Sequence, residues 1–221
     1  ILFSHLCAPR ACIIGAIYLY TVWPYLCVPA GPFHLGFVLP IFAKAKGRLE
    51  ILPLALGSFI PDIELLLMWP FMGSLEAARG PMHSILGALT IDLVFTLLYV
   101  YLVAPPLISW FAGRMKEPEI AIFAGADFSA KPARFGVSVC SALIGTVSHV
   151  FIDLFSHTRN PLFWPWDMGE GLHLMPFDKL PSSILMHAMA GILLVLAMIK
   201  YWRRWRLFNR TRNYTTYSSI A

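Results

Sequence analysis

The chain has 221 residues, of which 58% are hydrophobic and only 13% charged, and its mean hydropathy is +0.68. Soluble domains carry about a quarter charged residues, so an ordinary soluble domain is excluded and one compact membrane-embedded unit is expected. The net charge of +5 collects at the ends of apolar runs and is not interleaved with solvent-facing aromatics. It therefore reads as a topology signal and excludes a nucleic-acid partner.

In chain order, residues 11–29 form the first spanning candidate, with a kink at Pro24. The chain opens on Ile1 rather than Met, so its natural start is expected upstream. No A-x-A-like cleavage site follows the first run. Gly31-Pro32-Phe33-His34-Leu35-Gly36 breaks the chain before a shorter apolar helix to about Ala45, closed by Lys44, Lys46 and Arg48. A further helix runs from about Ile51 to Trp69, bent by Pro61, which frees a backbone carbonyl beside Asp62. Residues 72–82 form a loop, and a long apolar helix follows from Met82 or His83 to about Val103, ahead of Pro105-Pro106. Residues 112–134 hold most of the mid-chain charge and read as a loop. Residues 135–157 form one helix, and residues 158–182, rich in Pro, Trp and Phe, form an ordered interfacial loop. The last span covers about 183–201 and ends in Arg203, Arg204 and Arg206, followed by a polar tail that frays. The fold class is thus all-α, a polytopic transmembrane bundle of five to six spanning or half-spanning helices. The four cysteines Cys7, Cys12, Cys27 and Cys140 form no C-x-x-C pair and read as buried small hydrophobes.

With the arginine-rich C-terminal end in the cytoplasm, threading back leaves only Arg79, Arg159 and Lys179 of the 17 Lys and Arg on the outer side. The same threading brings His34, Asp62, His83, His149, Asp153 and His157 to the outer ends of their helices.

These six residues carry the chemistry. His149, Asp153 and His157 are spaced i, i+4, i+8 on one helical stripe. Imidazole and carboxylate are ligands for first-row metals, and such a triad facing lipid would cost several kcal/mol. The alternative for His149 and Asp153 is an interhelical hydrogen bond in a bundle core, and His157 fits an interfacial position equally well. Asp62 lies inside an apolar helix, with a salt bridge to Arg79 as its structural alternative; Glu64, two residues on, points away and is weaker. His83 opens a helix as ligand or cap, and Arg79 just before it suits a phosphate or carboxylate. His34 lies at a broken helix start, where ion sites are often built. Asp92, on the opposite face from His83 and deeper, reads as a structural hydrogen-bond partner. His187 is a late ligand or a core polar residue, and His5 and His173 carry no pattern.

The order Gly31-Pro32-Phe33-His34-Leu35-Gly36, Gly57-Ser58-Phe59-Ile60-Pro61-Asp62-Ile63-Glu64, Arg79-Gly80-Pro81-Met82-His83-Ser84, Gly145-Thr146-Val147-Ser148-His149-Val150-Phe151-Ile152-Asp153 and Phe163-Trp164-Pro165-Trp166 resembles the membrane-bound metal-dependent hydrolases of bacteria and archaea. Those are multi-spanning proteins with a proposed kinship to the zinc-dependent phospholipase C and P1 nuclease group. The resemblance covers roughly residues 31–166. It implies metal ligation by His34, Asp62, His83, His149 and Asp153, which agrees with the residue-by-residue reading. Many members read His-Arg-Gly-x-Thr-His-Ser at the third motif, where this chain has Ala78 for the first His and Met82 for the Thr. The missing His implies fewer metal ions or a site without turnover. Residues 1–30 then read as an added N-terminal transmembrane segment, 31–205 as the membrane-embedded hydrolase-like domain and 206–221 as a polar cytoplasmic tail.

The expectation is a multi-pass cell-membrane protein whose metal site faces outward and hydrolyses a phosphoester on a lipid or lipid-linked molecule. His34, His83, His149, Asp153 and His157 hold the ion, Asp62 is ligand or general base, and Arg79 binds a phosphate oxygen. Nitrogen and oxygen donors without thiolate suit zinc, manganese, iron or nickel without choosing among them, and zinc is the expected ion, with manganese or iron as alternatives. Membrane lipids, and other membrane-protein subunits, are the expected partners. Two rival classes are an accessory subunit of a larger membrane complex, and a small transporter using Asp and His as a proton relay. The relay ranks last, because few polar residues continue to the inner face.

Overall fold

The computed structural model describes residues 31–45, 48–115, 132–167 and 172–218. The first expected span, Cys7, Cys12, Cys27 and His5 lie outside them. Among the described residues every regular element is helical, as expected: α1 Gly31–Lys44, α2 Ile51–Gly57, α3 Asp62–Met72, α4 Ile85–Leu89, α5 Ile91–Leu98, α6 Ala104–Met115, α7 Pro132–Asp153 and α8 Lys179–Ser218. Four stretches are long and apolar enough to cross a membrane: Ile51–Met72, Ile85–Phe111, Phe135–Asp153 and Pro181–Lys200. The helix Phe33–Lys44 is apolar but shorter, so it suits a half-span.

Four boundaries differ from the sequence expectation. Pro61 does more than bend a helix. The chain leaves α2 at Gly57, turns through residues 58–61 and restarts at Asp62. A proline cannot donate to the preceding turn but fits a helix start, so the break falls there. Asp62 therefore opens a helix in the middle of an apolar stretch and not at its end. Second, Pro105-Pro106 do not stop the third span. A π turn, Tyr99–Val103, comes just before them, and they occupy the first turn of α6, where missing N–H groups cost least. Third, α7 ends at Asp153, so His157 lies just past the turn that follows the helix and not on the helix. Fourth, α8 continues as helix to Ser218, past the expected end of the last span.

Short-range chemistry places the remaining ends. Gly73 adopts φ 72° and closes α3 with its N–H on Trp69 O, a left-handed conformation cheap only for glycine. Ser84 caps α4, its Oγ accepting from Gly87 N at 2.9 Å. Thr90, at φ −124° and ψ −78°, breaks the helix between α4 and α5.

The centre of the bundle is α7 lying along α2, with α4 and α5 beside it and α1 against α8. Helices α2 and α7 approach unusually closely: a Cβ on Gly145 would stand 2.4 Å from Leu54 O and 2.9 Å from Ser58 N. Close backbone contact at small residues is how helices associate where lipid removes the hydrophobic incentive. One end of this pair is pinned by Glu50, whose N–H donates to Ser141 Oγ at 2.9 Å and whose carboxylate accepts from Ser138 Oγ. The outward faces stay apolar and open, with Leu66, Leu67 and Phe71 on α3 and Ile192, Val195 and Leu196 on α8 more than half exposed. An apolar surface of that extent suits lipid. Cys140 also lies on an exposed face, of α7, and not in the core.

Candidate metal centre

Six predicted residues converge. His34, His83, His149, Asp153 and His157 are each at most 1% exposed, and Asp62 is 8% exposed. They come from α1, the start of α3, the turn before α4, the end of α7 and the segment just after it. Helix α7 places His149 and Asp153 one turn apart, with Nε2 and Oδ2 at 3.2 Å. The restart after Pro61 brings Asp62 Oδ1 to 3.6 Å from His149 Nε2 and 3.9 Å from His83 Nε2. His34 reaches Asp153 Oδ1 at 3.5 Å and stacks on His149 with ring centroids 3.9 Å apart. His157, although off the helix, still turns Nε2 to within 3.8 Å of Asp153 Oδ1. Two groups, His34/His149/Asp153 and Asp62/His83/His149, each bring one ligand atom per residue within 4.8 Å of one another.

The histidine tautomers are set by what lies behind each ring. His149 Nδ1 donates to Ser58 O at 2.9 Å, an acceptor that fixes the proton on that nitrogen. His83 Nδ1 donates to Glu64 Oε2 at 3.0 Å, and His157 Nδ1 to Glu76 Oε1 at 3.3 Å. In the neutral ring each therefore turns an Nε2 lone pair toward the carboxylates. None of the three Nε2 atoms has a hydrogen-bond partner among the described residues, and neither nitrogen of His34 has one. Ligands about 2.0–2.1 Å from a tetrahedral ion stand roughly 3.3 Å from one another. The observed nitrogen–oxygen separations, 3.2 to 3.9 Å, fit that spacing with slight contraction. Imidazole and carboxylate donors backed by carboxylates and a carbonyl are the usual architecture of zinc-type sites.

Arg79 sits among them. Its Nη1 donates to Asp153 Oδ2 at 2.5 Å, so its carboxylate partner is Asp153 and not Asp62. Its Nη2 is buried without an acceptor among the described residues.

Two carboxylates were undervalued in the sequence. Glu64 does diverge from Asp62, as residues two apart on a helix must, but the divergence straddles one ring. Asp62 faces His83 Nε2, while Glu64 binds His83 Nδ1 and accepts from Gly80 N at 3.0 Å. Glu76 gave no pattern because it lies in a turn. It accepts from His157, from Arg159 N at 3.2 Å and from Lys179 Nζ at 2.7 Å, tying three segments together. Burial works against its ionisation, but the hydrogen bond from His157 and the Lys179 ammonium hold its carboxyl well below the usual range. Burial and the Arg79 guanidinium lower His157, consistent with a neutral donor ring.

The other described histidines stay out. His187 donates from Nδ1 to Ser183 O of its own helix and sets its ring against Phe33 at 4.9 Å. His173 is exposed. Asp92 was expected to be a hydrogen-bond partner. It is fully buried, but neither of its oxygens has one among the described residues.

The chain belongs to the DUF4184 family. That family's model, a domain of unknown function, matches residues 28–221 and so takes in every residue of this DUF4184 centre. No curated protein and no solved structure matches the chain.

Proposed function

We propose that this protein is a membrane-embedded metal-dependent hydrolase of phosphoesters carried on lipids or lipid-linked molecules. The observation that carries the reading is the set of three imidazoles whose Nδ1 protons are committed to Ser58 O, Glu64 and Glu76, leaving three Nε2 lone pairs on one buried pair of carboxylates. His34, Asp62, His83, His149, Asp153 and His157 would hold the ion, zinc by donor type, with manganese or iron as substitutes. When bound, a divalent ion supplies a water of lowered pKa and polarises the ester oxygen. The chain's own residues do the rest. Asp62, whose Oδ2 has no hydrogen-bond partner among the described residues, is the group placed to take a proton. Arg79 holds Asp153 through Nη1 and offers Nη2 to an anionic oxygen. The exposed apolar helices around the centre suit a substrate arriving from the membrane plane. In this reading the basic C-terminal end is cytoplasmic, and the centre opens to the other side.

One observation favours a second reading, an accessory subunit of a larger membrane complex that keeps a hydrolase-like fold. Arg79 already supplies Asp153 with a permanent cation at 2.5 Å, and Ala78 stands where the resembling hydrolases carry a His. The test is elemental analysis of the purified chain beside a His149→Ala/Asp153→Ala double variant. One or two equivalents of metal, lost in the variant, followed by metal-dependent cleavage of a chromogenic phosphodiester, is the expected result. A metal-free wild type whose double variant folds unchanged would overturn the hydrolase reading and leave the subunit.

A further inference from the structure

We propose that Asp92 and Thr96 form a second, separate cation site, for a hard monovalent ion such as sodium, deeper in the bundle than the metal centre. Both residues are fully buried, and Asp92 Oδ1, Asp92 Oδ2 and Thr96 Oγ1 have no hydrogen-bond partner among the described residues. They are four apart on α5, so they share one face, one turn apart. That face is internal, since α5 packs against α7 and α2. The register is fixed by Thr146 Oγ1 of α7, which donates to Ala88 O at 2.9 Å, one turn before Asp92. The helix break at Thr90 lies just ahead of the carboxylate, and interrupted helices are where membrane proteins bring ion-binding groups together.

A buried carboxylate with no donor is among the costliest groups a membrane interior can hold, and it persists where a cation answers it. The charge inventory makes the same point. Among the described residues, the buried carboxylates Asp62, Glu64, Asp92 and Asp153 face one buried guanidinium, Arg79. Resting on the metal-centre reading, a divalent ion with neutral imidazoles answers two more charges and leaves one carboxylate uncompensated. Asp62, Glu64 and Asp153 all touch the imidazole cluster, so the residual negative charge falls on Asp92. Donor chemistry separates the two sites. The centre is rich in imidazole nitrogen, which takes transition metals, whereas the Asp92 site offers oxygen alone, which takes hard ions. One carboxylate and one hydroxyl balance a single positive charge.

The test is thermal unfolding of the full chain in detergent as sodium chloride replaces choline chloride at constant ionic strength. The wild-type midpoint should rise by about 5–10 °C once sodium exceeds its dissociation constant a hundredfold, and Asp92→Asn should remove the rise. Thr96→Val, which keeps the shape and loses the hydroxyl, gives the same reading should Asp92→Asn fail to fold. Bound divalent metal, measured in parallel, should be unchanged in both variants. A wild-type midpoint indifferent to sodium, or a sodium response that survives in Asp92→Asn, overturns the site and identifies Asp92 as a buried neutral acid. A sodium response in a chain free of divalent metal would support this site while defeating the hydrolase reading, so the two fail separately.

Discussion

Alanine at Gly145 should destabilise the bundle, while alanine at Gly136 of the same helix should not. Both substitutions gain helix propensity, about 0.5–1 kcal/mol for Gly to Ala. At Gly136 nothing lies within 4 Å of the added Cβ, so the gain stands alone. At Gly145 the Cβ meets Leu54 O at 2.4 Å, Ser58 N at 2.9 Å and Gly57 C at 3.0 Å. All three are backbone atoms and cannot rotate away, so α2 and α7 must separate by roughly 1 Å to restore ordinary contact near 3.4 Å. Overpacking costs about 1–3 kcal/mol, and a roughly 1 Å backbone clash falls in the upper half of that range, leaving a net loss of about 1–2.5 kcal/mol. For a chain of this size that lowers the unfolding midpoint by roughly 2–10 °C, against a rise of about 1–4 °C for Gly136→Ala. The same separation stretches the bond from His149 Nδ1 to Ser58 O, so metal content should fall together with stability. The assay is tryptophan fluorescence during heating in detergent, with metal measured on the same samples. Equal shifts at the two positions would refute the close packing of α2 on α7.

Removing the group behind His83 by Glu64→Ala should weaken metal binding about 10–100-fold, as loss of outer carboxylates generally does; a chelator competition reporting unchanged affinity would remove Glu64 from the site. Arg79→Lys keeps the charge but loses the planar fork, and a charged hydrogen bond of about 1.5–3 kcal/mol translates to a 10- to 150-fold fall in kcat/KM for an anionic substrate. Unaltered kinetics would mean that Arg79 only neutralises Asp153. Glu76 gives a pH signature. Its folded carboxyl lies below the ordinary value of 4.5, so the stability it contributes is complete above that value and is lost as the pH falls toward the folded one. Limited proteolysis near Arg159 should therefore accelerate below about pH 4.5 in the wild type and be fast and flat in Glu76→Gln; parallel profiles would show that Glu76 does not hold that loop.

Much of the site was readable because helical spacing is a local property. His149 and Asp153 needed only the i, i+4 rule, and Asp62 and His34 stood out as polar residues beside Pro61 and Pro32 in apolar runs. Glu76 and the rescue of His157 were not readable, because each depends on where a turn folds back. The end of α7 at Asp153 would have removed His157 from the stripe had the turn not carried its ring back to the same carboxylate. Glu64 was misjudged for a related reason. Its direction along α3 is local, but the ring it meets belongs to a residue 19 positions away.

Composition and apolar run length alone determined the membrane class, the helical fold and four of the apolar stretches, because burial in lipid leaves a chain few ways to satisfy its backbone. Tertiary structure decided which carboxylates answer which imidazoles: Arg79 on Asp153 instead of Asp62, Glu64 behind His83, and Asp92 with no hydrogen-bond partner among the described residues. Those pairings follow from how closely helices distant in sequence approach one another, and the α2–α7 approach turns on a glycine that local periodicity does not single out.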